Sequence, residues 1–277
     1  MRYFLFLLLC LLPARLSADF ADYTYDPTII EVDVELALMV DVSRSMTPNE
    51  LEIQRHGYAA ALTSADVMDV IEQGFLGRIA VAYVEWAGPG NHRVVVDWMT
   101  IGSMDEARQF AAALMETRPF GMQRTSISSA LDFAADLIED NGFQGLRRVI
   151  DVSGDGPNNS GDPVAAARDR ALSRGIVING LPLMTAEGVG SRWTIDDLDA
   201  YYRDCVIGGQ GAFVIPVASW EEFPTAVRQK ILLEIAAIQP RIMRASSVIP
   251  AAGTAPGTYD CMAGEKVWDR FRQNWEP

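Results

Sequence analysis

The residues with the clearest chemical potential lie in the stretch LALMVDVSRSM, residues 36–46. Asp41 ends an apolar run, and the hydroxyl residues Ser43 and Ser45 follow at alternate positions. Open parallel sheets bind ligands beyond the carboxyl ends of their strands, and alternate spacing allows the three side chains to converge on one point. A carboxylate with neutral hydroxyls is a hard oxygen environment, which suits Mg²⁺, Mn²⁺ or Ca²⁺ better than zinc.

Three oxygens are too few for octahedral coordination, so other loops must contribute. Thr125, in GMQRTSISSAL, precedes a predicted helix, and Asp155, in VIDVSGDGPNN, follows a predicted strand. Each of these residues alone could have a structural role, because hydroxyls cap helices and aspartates occupy turns. Thr125 and Asp155 are therefore candidates to complete a metal site with Asp41, Ser43 and Ser45.

The elements that must position these residues alternate along the chain. Thr47, Pro48 and Glu50 form a helix start with a capping box directly after Ser45. The pattern predicts strands at 34–40, 78–86, 93–98, 148–152, 176–183 and 212–217, and helices at 48–63, 105–116, 126–139, 163–173, 194–202 and 220–238. Such alternation predicts an α/β fold, a Rossmann-like three-layer sandwich with a mostly parallel central sheet and one antiparallel edge hairpin around the turn at 88–91.

The chain is predicted to begin with a signal peptide at residues 1–18. Arg2 precedes an apolar core at 3–12, which is too short for a membrane span of roughly 20 residues. The folded domain is expected at 19–239, and the segment 240–277 is expected to be an irregular tail with one docked helical turn near its end. These features predict a periplasmic or secreted protein with no stable membrane span.

Charge and cysteine content restrict the possible partners and the compartment. The formal charge of −14 becomes about −16 once the signal is removed, which disfavours nucleic acid as a partner. Cys10 leaves with the signal, so Cys205 and Cys261 remain. They either pair, as is common in an oxidising compartment, or stay as free buried thiols. A bond between them would tie the tail to the domain.

The ordered motifs resemble the metal-ion-dependent adhesion site (MIDAS) of von Willebrand factor A domains. The resemblance covers roughly residues 31–238 and rests on three parts: Asp41-x-Ser43-x-Ser45, Thr125 followed by Ala130-Leu131, and Asp155-Gly156. The stretches DVSGDGPNNSG and INGLPL are also similar to exported bacterial proteins of this superfamily without an assigned function, the DUF1194 group.

The resemblance implies that Ser43, Ser45 and Thr125 coordinate a divalent cation, most simply Mg²⁺, through hydroxyl oxygens. Asp41 and Asp155 would then act partly through waters. A vacant position on the cation would accept a Glu or Asp from a protein or peptide ligand, which implies adhesion rather than catalysis. Two alternatives stay open: a metal-assisted hydrolase that uses the same cation, and a degenerate domain that has lost metal affinity.

The segment around Asp155 departs from the family pattern. Gly154 stands where the family usually has Thr, and Asp151 offers a second carboxylate. Asp151 falls inside a predicted strand and should be buried, so Asp155 is the preferred ligand. The same strand excludes an EF-hand loop, which needs a preceding helix. His56 and His92 are both expected at the surface, and no GxSxG elbow supports a serine hydrolase.

Overall fold

The longest apolar run of the chain forms the central strand of the fold, which we describe from a computed structural model. The structure describes residues 27–119, 121–185, 194–236, 249–250 and 259–275, so the expected signal peptide lies outside the described residues. Strand β1, Ile30–Asp41, is buried along almost its whole length. Its side chains alternate, with Leu36 and Leu38 in one hydrophobic core and Ala37 and Met39 in the other. The strand is thus covered by helices on both faces.

Seven strands form one sheet in the described part of the chain, in the order β3-β2-β1-β4-β5-β6-β7. The others are β2 Ile79–Trp86, β3 His92–Ile101, β4 Phe143–Gly154, β5 Val177–Pro182, β6 Phe213–Val214 and β7 Ile249–Pro250. β1 pairs in parallel with β2 and β4, and the parallel pairing continues through β5 and β6. The predicted antiparallel hairpin is β2 with β3 at one edge, and β7 adds a second antiparallel pair at the other.

Helices cover both faces of this sheet. They are α1 Pro48–Leu62, α2 Ala65–Glu72, α3 Met104–Met115, α4 Ile127–Glu139, α5 Val164–Ser173, α6 Leu198–Tyr201, α7 Phe223–Ile235 and α8 Ala263–Trp275. Helices α1, α2, α3 and α7 bury side chains in the first core, and α4, α5 and α6 bury theirs in the second. The predicted three-layer α/β sandwich is confirmed. None of these helices combines the length and the apolar character that crossing a membrane requires.

Several segments differ from the sequence prediction. The strand predicted at 212–217 is limited to β6, and β7 lies in the tail that was expected to be irregular. Helix α2 was not predicted, because it is only eight residues long. The helix predicted at 194–202 is limited to α6, which continues into a π-helical turn, Tyr202–Val206. The wider turn buries Tyr202, Cys205 and Val206 together. The 3.6-residue period of an α-helix does not predict this burial pattern. Where one helical turn was expected near the C-terminus, α8 has 13 residues.

A disulfide bond joins Cys205 to Cys261, so the paired interpretation of the two cysteines is confirmed. Their Cα atoms are 5.4 Å apart, and the bond closes a sequence separation of 56 residues. Cys205 lies in the buried π-helical turn, and Cys261 lies just before α8. The bond therefore fastens α8 to the second core.

A buried ionic cluster connects α7 to the sheet. Lys230 lies 2.6 Å from Asp151 of β4 and 2.5 Å from Glu234, and all three side chains are inaccessible to solvent. Asn179 donates to Glu234 at 3.0 Å. Burial raises the pKa of Glu234 to about 7, although the Lys230 charge opposes the rise. Asp151 is buried inside its strand, as predicted, and is held by Lys230 within the core rather than exposed in a loop.

Replacement of Lys230 by Met should destabilise the protein strongly, because two buried carboxyl groups would lose their cation. We expect Lys230→Met to lower the free energy of unfolding by roughly 3–5 kcal/mol, measured by urea denaturation. Lys266, whose ion pair with Asp260 is more than half exposed, provides the control, and Lys266→Met should change stability by less than about 1 kcal/mol. Equal losses in the two variants would contradict this role of Lys230.

Candidate cation site

The candidate site lies where the chain order reverses in the sheet. From β1 the chain continues to β2 on one side and later to β4 on the other. Asp41 is the last residue of β1, and Asp155 follows Gly154, the last residue of the neighbouring parallel strand β4. Both carboxylates thus stand at adjacent carboxyl ends, in the crevice where open α/β sheets bind their ligands.

A chain of hydrogen bonds joins four of the five predicted residues. The Ser43 amide donates to Asp41 Oδ1 at 2.6 Å. The hydroxyls of Ser43 and Ser45 are 3.0 Å apart, and Ser45 Oγ donates to Asp155 Oδ1 at 2.8 Å. The loops after β1 and after β4 therefore meet, and they bring two carboxylates and two hydroxyls into one cluster.

Thr125 reaches the same region from a third loop. The Met122 amide donates to the Val42 carbonyl at 2.8 Å, which holds this loop beside the one that carries Ser43. Asn159, four residues beyond Asp155, accepts from the Thr125 amide through its side chain at 3.1 Å and donates its own amide to the Thr125 carbonyl at 3.0 Å. Thr125 is buried. The structure thus places all five predicted residues on three interconnected loops.

The start of α1 holds the serine loop in place. The predicted capping box is present, because Thr47 Oγ1 accepts from the Glu50 amide and the Glu50 carboxylate accepts from the Thr47 amide. Trp220 Nε1 donates to the second Glu50 oxygen at 2.8 Å, and Gln54 Nε2 donates to the Asp41 carbonyl at 3.0 Å. These bonds fix both ends of the loop that contains Ser43 and Ser45.

Without a cation nearby, the environment of the two carboxyl groups disfavours their ionised form. Asp41 is fully buried, and its Oδ2 atom makes no hydrogen bond to any described residue. Burial, together with the nearby Asp155 charge, raises the pKa of Asp41 well above its usual range. Burial also raises the pKa of Asp155 to about 6. A bound cation would offset both effects.

The donor set fits a hard divalent cation. Within the described residues, no three His, Cys, Asp or Glu side chains form a group that could hold a metal ion. Hydroxyl oxygens would therefore have to complete the coordination begun by the two carboxylates. Such neutral oxygen ligands are compatible with Mg²⁺, Mn²⁺ or Ca²⁺.

Gly154 and Tyr202 belong to the site although sequence analysis did not assign them to it. A Cβ atom at position 154 would lie 2.9 Å from Asp41 Oδ2, 2.9 Å from the Tyr202 hydroxyl and 3.3 Å from Asp41 Cβ. The departure from the family pattern thus has a steric reason, since the Tyr202 hydroxyl and the Asp41 side chain occupy the space that a side chain at 154 would need. The glycine at 154, where the family usually has Thr, was the one feature of the sequence that could have pointed to this position. Nothing in the sequence pointed to Tyr202.

The two histidines lie in different environments. His56 is exposed, as predicted, and its ring bonds only to its own helix. His92 is half-buried rather than a surface residue, because it stacks on Phe133 at 4.5 Å and lies 3.2 Å from the Ser129 hydroxyl. The edge hairpin carries it onto α4, and sequence patterning could not show that contact.

Solved structures with the same fold define the class of the domain. The pilus adhesin SpaC from Lactobacillus rhamnosus GG has a TM-score of 0.53 at 14% identity, over 74% of this chain and 31% of that chain. Proximal thread matrix protein 1 from the mussel byssus, in a structure described as having a zinc-occupied MIDAS motif, has a TM-score of 0.51 at 15% identity, over 74% and 46%. A von Willebrand factor type A protein from Catenulispora acidiphila has a TM-score of 0.50 at 14% identity, over 74% and 43%.

The fold is that of a von Willebrand factor A domain, which confirms the resemblance found in the sequence. This chain spans less than half of the length of each of these relatives, so the likeness concerns the fold alone. Residues 31–239 match the family model described as protein of unknown function, DUF1194. The match covers most of the chain, which therefore belongs to the DUF1194 family. Comparison with curated proteins finds no match.

Substitution of Gly154 should disturb the site more than the fold. In Gly154→Ala the new methyl group would push Asp41 or Tyr202 aside, and we expect the affinity for Mn²⁺ to fall roughly tenfold or more, measured by calorimetric titration. Gly121→Ala is a matched control, because Gly121 has no positive φ and a Cβ there would meet no atom closer than 3.8 Å. Unchanged Mn²⁺ affinity in Gly154→Ala would contradict the steric role of this glycine.

Cation affinity should decrease in acid. The pKa of Asp155 in the metal-free protein is raised to about 6, so below that pH the cation must displace a proton. We expect Mn²⁺ affinity to fall by up to about tenfold for each pH unit below 6. Because the pKa is raised, the contribution of Asp155 to the stability of the metal-free fold is present in acid and is lost as the pH rises through about 6.

Two measurements check this pH dependence. Calorimetric titrations between pH 5 and pH 7.5 give the affinity, and thermal melts with and without Mn²⁺ should show a stabilisation that grows with pH. Asp155→Asn should flatten the part of the profile near pH 6. Equal affinity at pH 5 and pH 7 in the unsubstituted protein would refute the proposed coupling.

Proposed function

We propose that this domain binds a divalent cation through Asp41, Ser43, Ser45, Thr125 and Asp155, and that the cation holds an acidic residue of a protein or peptide ligand. The observation that carries the proposal is the convergence of two carboxylates, the fully buried Asp41 and the partly buried Asp155, with hydroxyl residues at the carboxyl ends of β1 and β4. Asp41 Oδ2 has no hydrogen-bond partner among the described residues. A buried carboxylate oxygen without a partner is costly, and a cation would satisfy it.

The hydrogen bonds of the cluster favour the serine hydroxyl oxygens as cation ligands. Ser45 donates its only hydroxyl proton to Asp155, so Ser43 is the donor between the two serines. One lone pair of Ser45 and both lone pairs of Ser43 are then left for a cation. Asp41 accepts from the Ser43 amide, which holds the Ser43 hydroxyl beside that of Ser45. With several neutral ligands, a bound cation would stay electron-poor and would attract a further carboxylate from a ligand.

We propose Mg²⁺ as the cation, with Mn²⁺ and Ca²⁺ as alternatives. Hydroxyl and carboxylate oxygens are the ligands that these ions prefer. The mussel protein is described with zinc in its MIDAS motif, so zinc belongs in any comparison of cations. Relative affinities for the four ions would establish the preference of this site.

We further propose a binding role rather than catalysis. Within the described residues the two serine hydroxyls of the cluster bond to each other and to Asp155, and the two histidines bond elsewhere, His92 to Ser129 and His56 within α1. The description of SpaC as a pilus adhesin is compatible with a binding domain on this fold. The disulfide and the acidic composition fit an exported protein of the periplasm or cell exterior whose ligand is not nucleic acid.

Removal of the Asp41 charge tests the cation site directly. Asp41→Asn keeps an oxygen that can accept from Ser43, and we expect it to lower the affinity for Mg²⁺ and Mn²⁺ by roughly a hundredfold with little loss of stability, measured by calorimetric titration. Asp105→Asn, at a side chain with 85% exposure, is the control. Equal affinities in the two variants would exclude Asp41 from the site.

The ligand can then be sought by capture on the immobilised chain. Proteins from an envelope extract should bind in the presence of Mg²⁺ and be released by a chelator, and Asp41→Asn should capture none of them. Capture that is the same for both chains, with or without chelator, would contradict the cation-dependent part of the proposal.

A further inference from the structure

Helix α8 packs directly against the loop that follows Asp155. The backbone at Gly264 lies so close to this loop that a Cβ atom there would overlap the Asn158 carbonyl and approach Pro157 Cγ to 2.9 Å. Glu265, the next residue of α8, accepts from Asn158 Nδ2 at 2.7 Å. A helix 100 residues further along the chain thus contacts one of the three loops of the candidate cation site.

Asn158 transmits this contact to its neighbours. Its amide donates to the Tyr201 hydroxyl at 3.2 Å, and its side-chain oxygen accepts from the Ser128 amide, in the first turn of α4, at 3.0 Å. The next residue, Asn159, is bonded to both main-chain groups of Thr125. The position of α8 is therefore coupled through two consecutive asparagines to a predicted cation ligand.

The same helix contacts the loop before Thr125. The Arg124 guanidinium lies over the Trp268 ring, 5.4 Å from its centre, within the range of a cation–π interaction. Arg124 has φ 68° and is the one described non-glycine residue with a left-handed backbone. Because such a backbone is unfavourable for arginine, neighbouring contacts must hold it, and Trp268 provides one of them.

The disulfide anchors the helix that makes these contacts. Cys261 precedes α8, and Cys205 lies three residues after Tyr202, whose hydroxyl flanks Gly154 in the site. Tyr259 adds a hydrogen bond to Asp197 at 2.7 Å and a ring contact with Tyr201. The bond thus adds a covalent anchor to the noncovalent contacts that α8 makes with the two loops.

We propose that α8, anchored by the Cys205–Cys261 bond, positions the loops of the cation site, so that cation affinity depends on this helix and on the disulfide. The inference rests on the proposed function, because it concerns the same site. Glu265 and Trp268 act as positioning residues through Asn158 and Arg124. Breaking the disulfide lets α8 leave the loops, and Thr125 and Asp155 lose their fixed spacing.

Matched variants of the full chain test the proposal with Mn²⁺ as the probe. Glu265→Ala removes the acceptor for Asn158 and should lower Mn²⁺ affinity about tenfold, whereas Glu265→Gln keeps an acceptor and should stay within about twofold. Cys205→Ser with Cys261→Ser should lower the affinity by roughly tenfold or more. Arg272→Ala, at an exposed side chain of the same helix, should leave it unchanged.

Two controls distinguish a loss of Mn²⁺ affinity caused by unfolding from one caused by displacement of the loops. Near-ultraviolet circular dichroism reports whether each variant keeps its folded core. If the cysteine variant does not fold, the comparison of Glu265→Ala with Glu265→Gln still tests whether α8 positions the loops. Equal Mn²⁺ affinity in Glu265→Ala, Glu265→Gln and the unsubstituted chain would overturn the role of α8 and leave the cation site intact. Absence of Mn²⁺ binding to the unsubstituted chain would instead refute the proposed function itself.

Discussion

The placement of two carboxyl groups, one fully buried and one partly buried, at the ends of adjacent parallel strands is the constraint on which the site depends. Moving an ionised carboxylate out of water costs several kcal/mol, and two such groups close together also repel. Asp41 and Asp155 nevertheless lie side by side where β1 and β4 end, and burial raises the pKa of both. The hydrogen bonds from Ser43 and Ser45 offset part of this cost. A divalent cation would offset the rest, which explains why a fold would retain such an arrangement.

The same domain contains a second pair of carboxylates, both buried, whose charge is compensated in a different way. Asp151 and Glu234 lie on either side of Lys230, so the protein supplies the compensating charge from its own chain. That cluster is closed, since its cation is covalently part of α7 and lies in the core. At the carboxyl ends of β1 and β4 the chain offers hydroxyl groups instead of a lysine. The Lys230 cluster is a structural ion pair, whereas the cluster at these strand ends is the proposed site for an external ion.

The sequence predicted the parts of the molecule that depend on local patterns. Alternation of apolar runs placed β1, the edge hairpin and α1 with its capping box, and the order of Asp41, Thr125 and Asp155 indicated three loops at one sheet edge. Sequence reasoning missed what depends on contacts between distant segments. Tyr202, the buried first residue of the π-helical turn, contacts the site from a distant part of the chain. Helix α8 could be docked on the site loops only once the disulfide and the Gly264 contact were visible. No periodicity encodes such contacts.

The acidic composition of the chain disfavours an acidic ligand at long range but not at contact distance. The chain has a formal charge of −14, which repels a carboxylate at long distance. At physiological salt this field is screened over about 8 Å, whereas an ion in a partly buried site acts at contact distance with little screening. Exposed Arg44, between the two serines, adds a positive charge at the rim. The proposed ligand therefore fits best as a single carboxylate on an otherwise neutral or basic surface, because an extended acidic segment would be repelled by the surrounding protein.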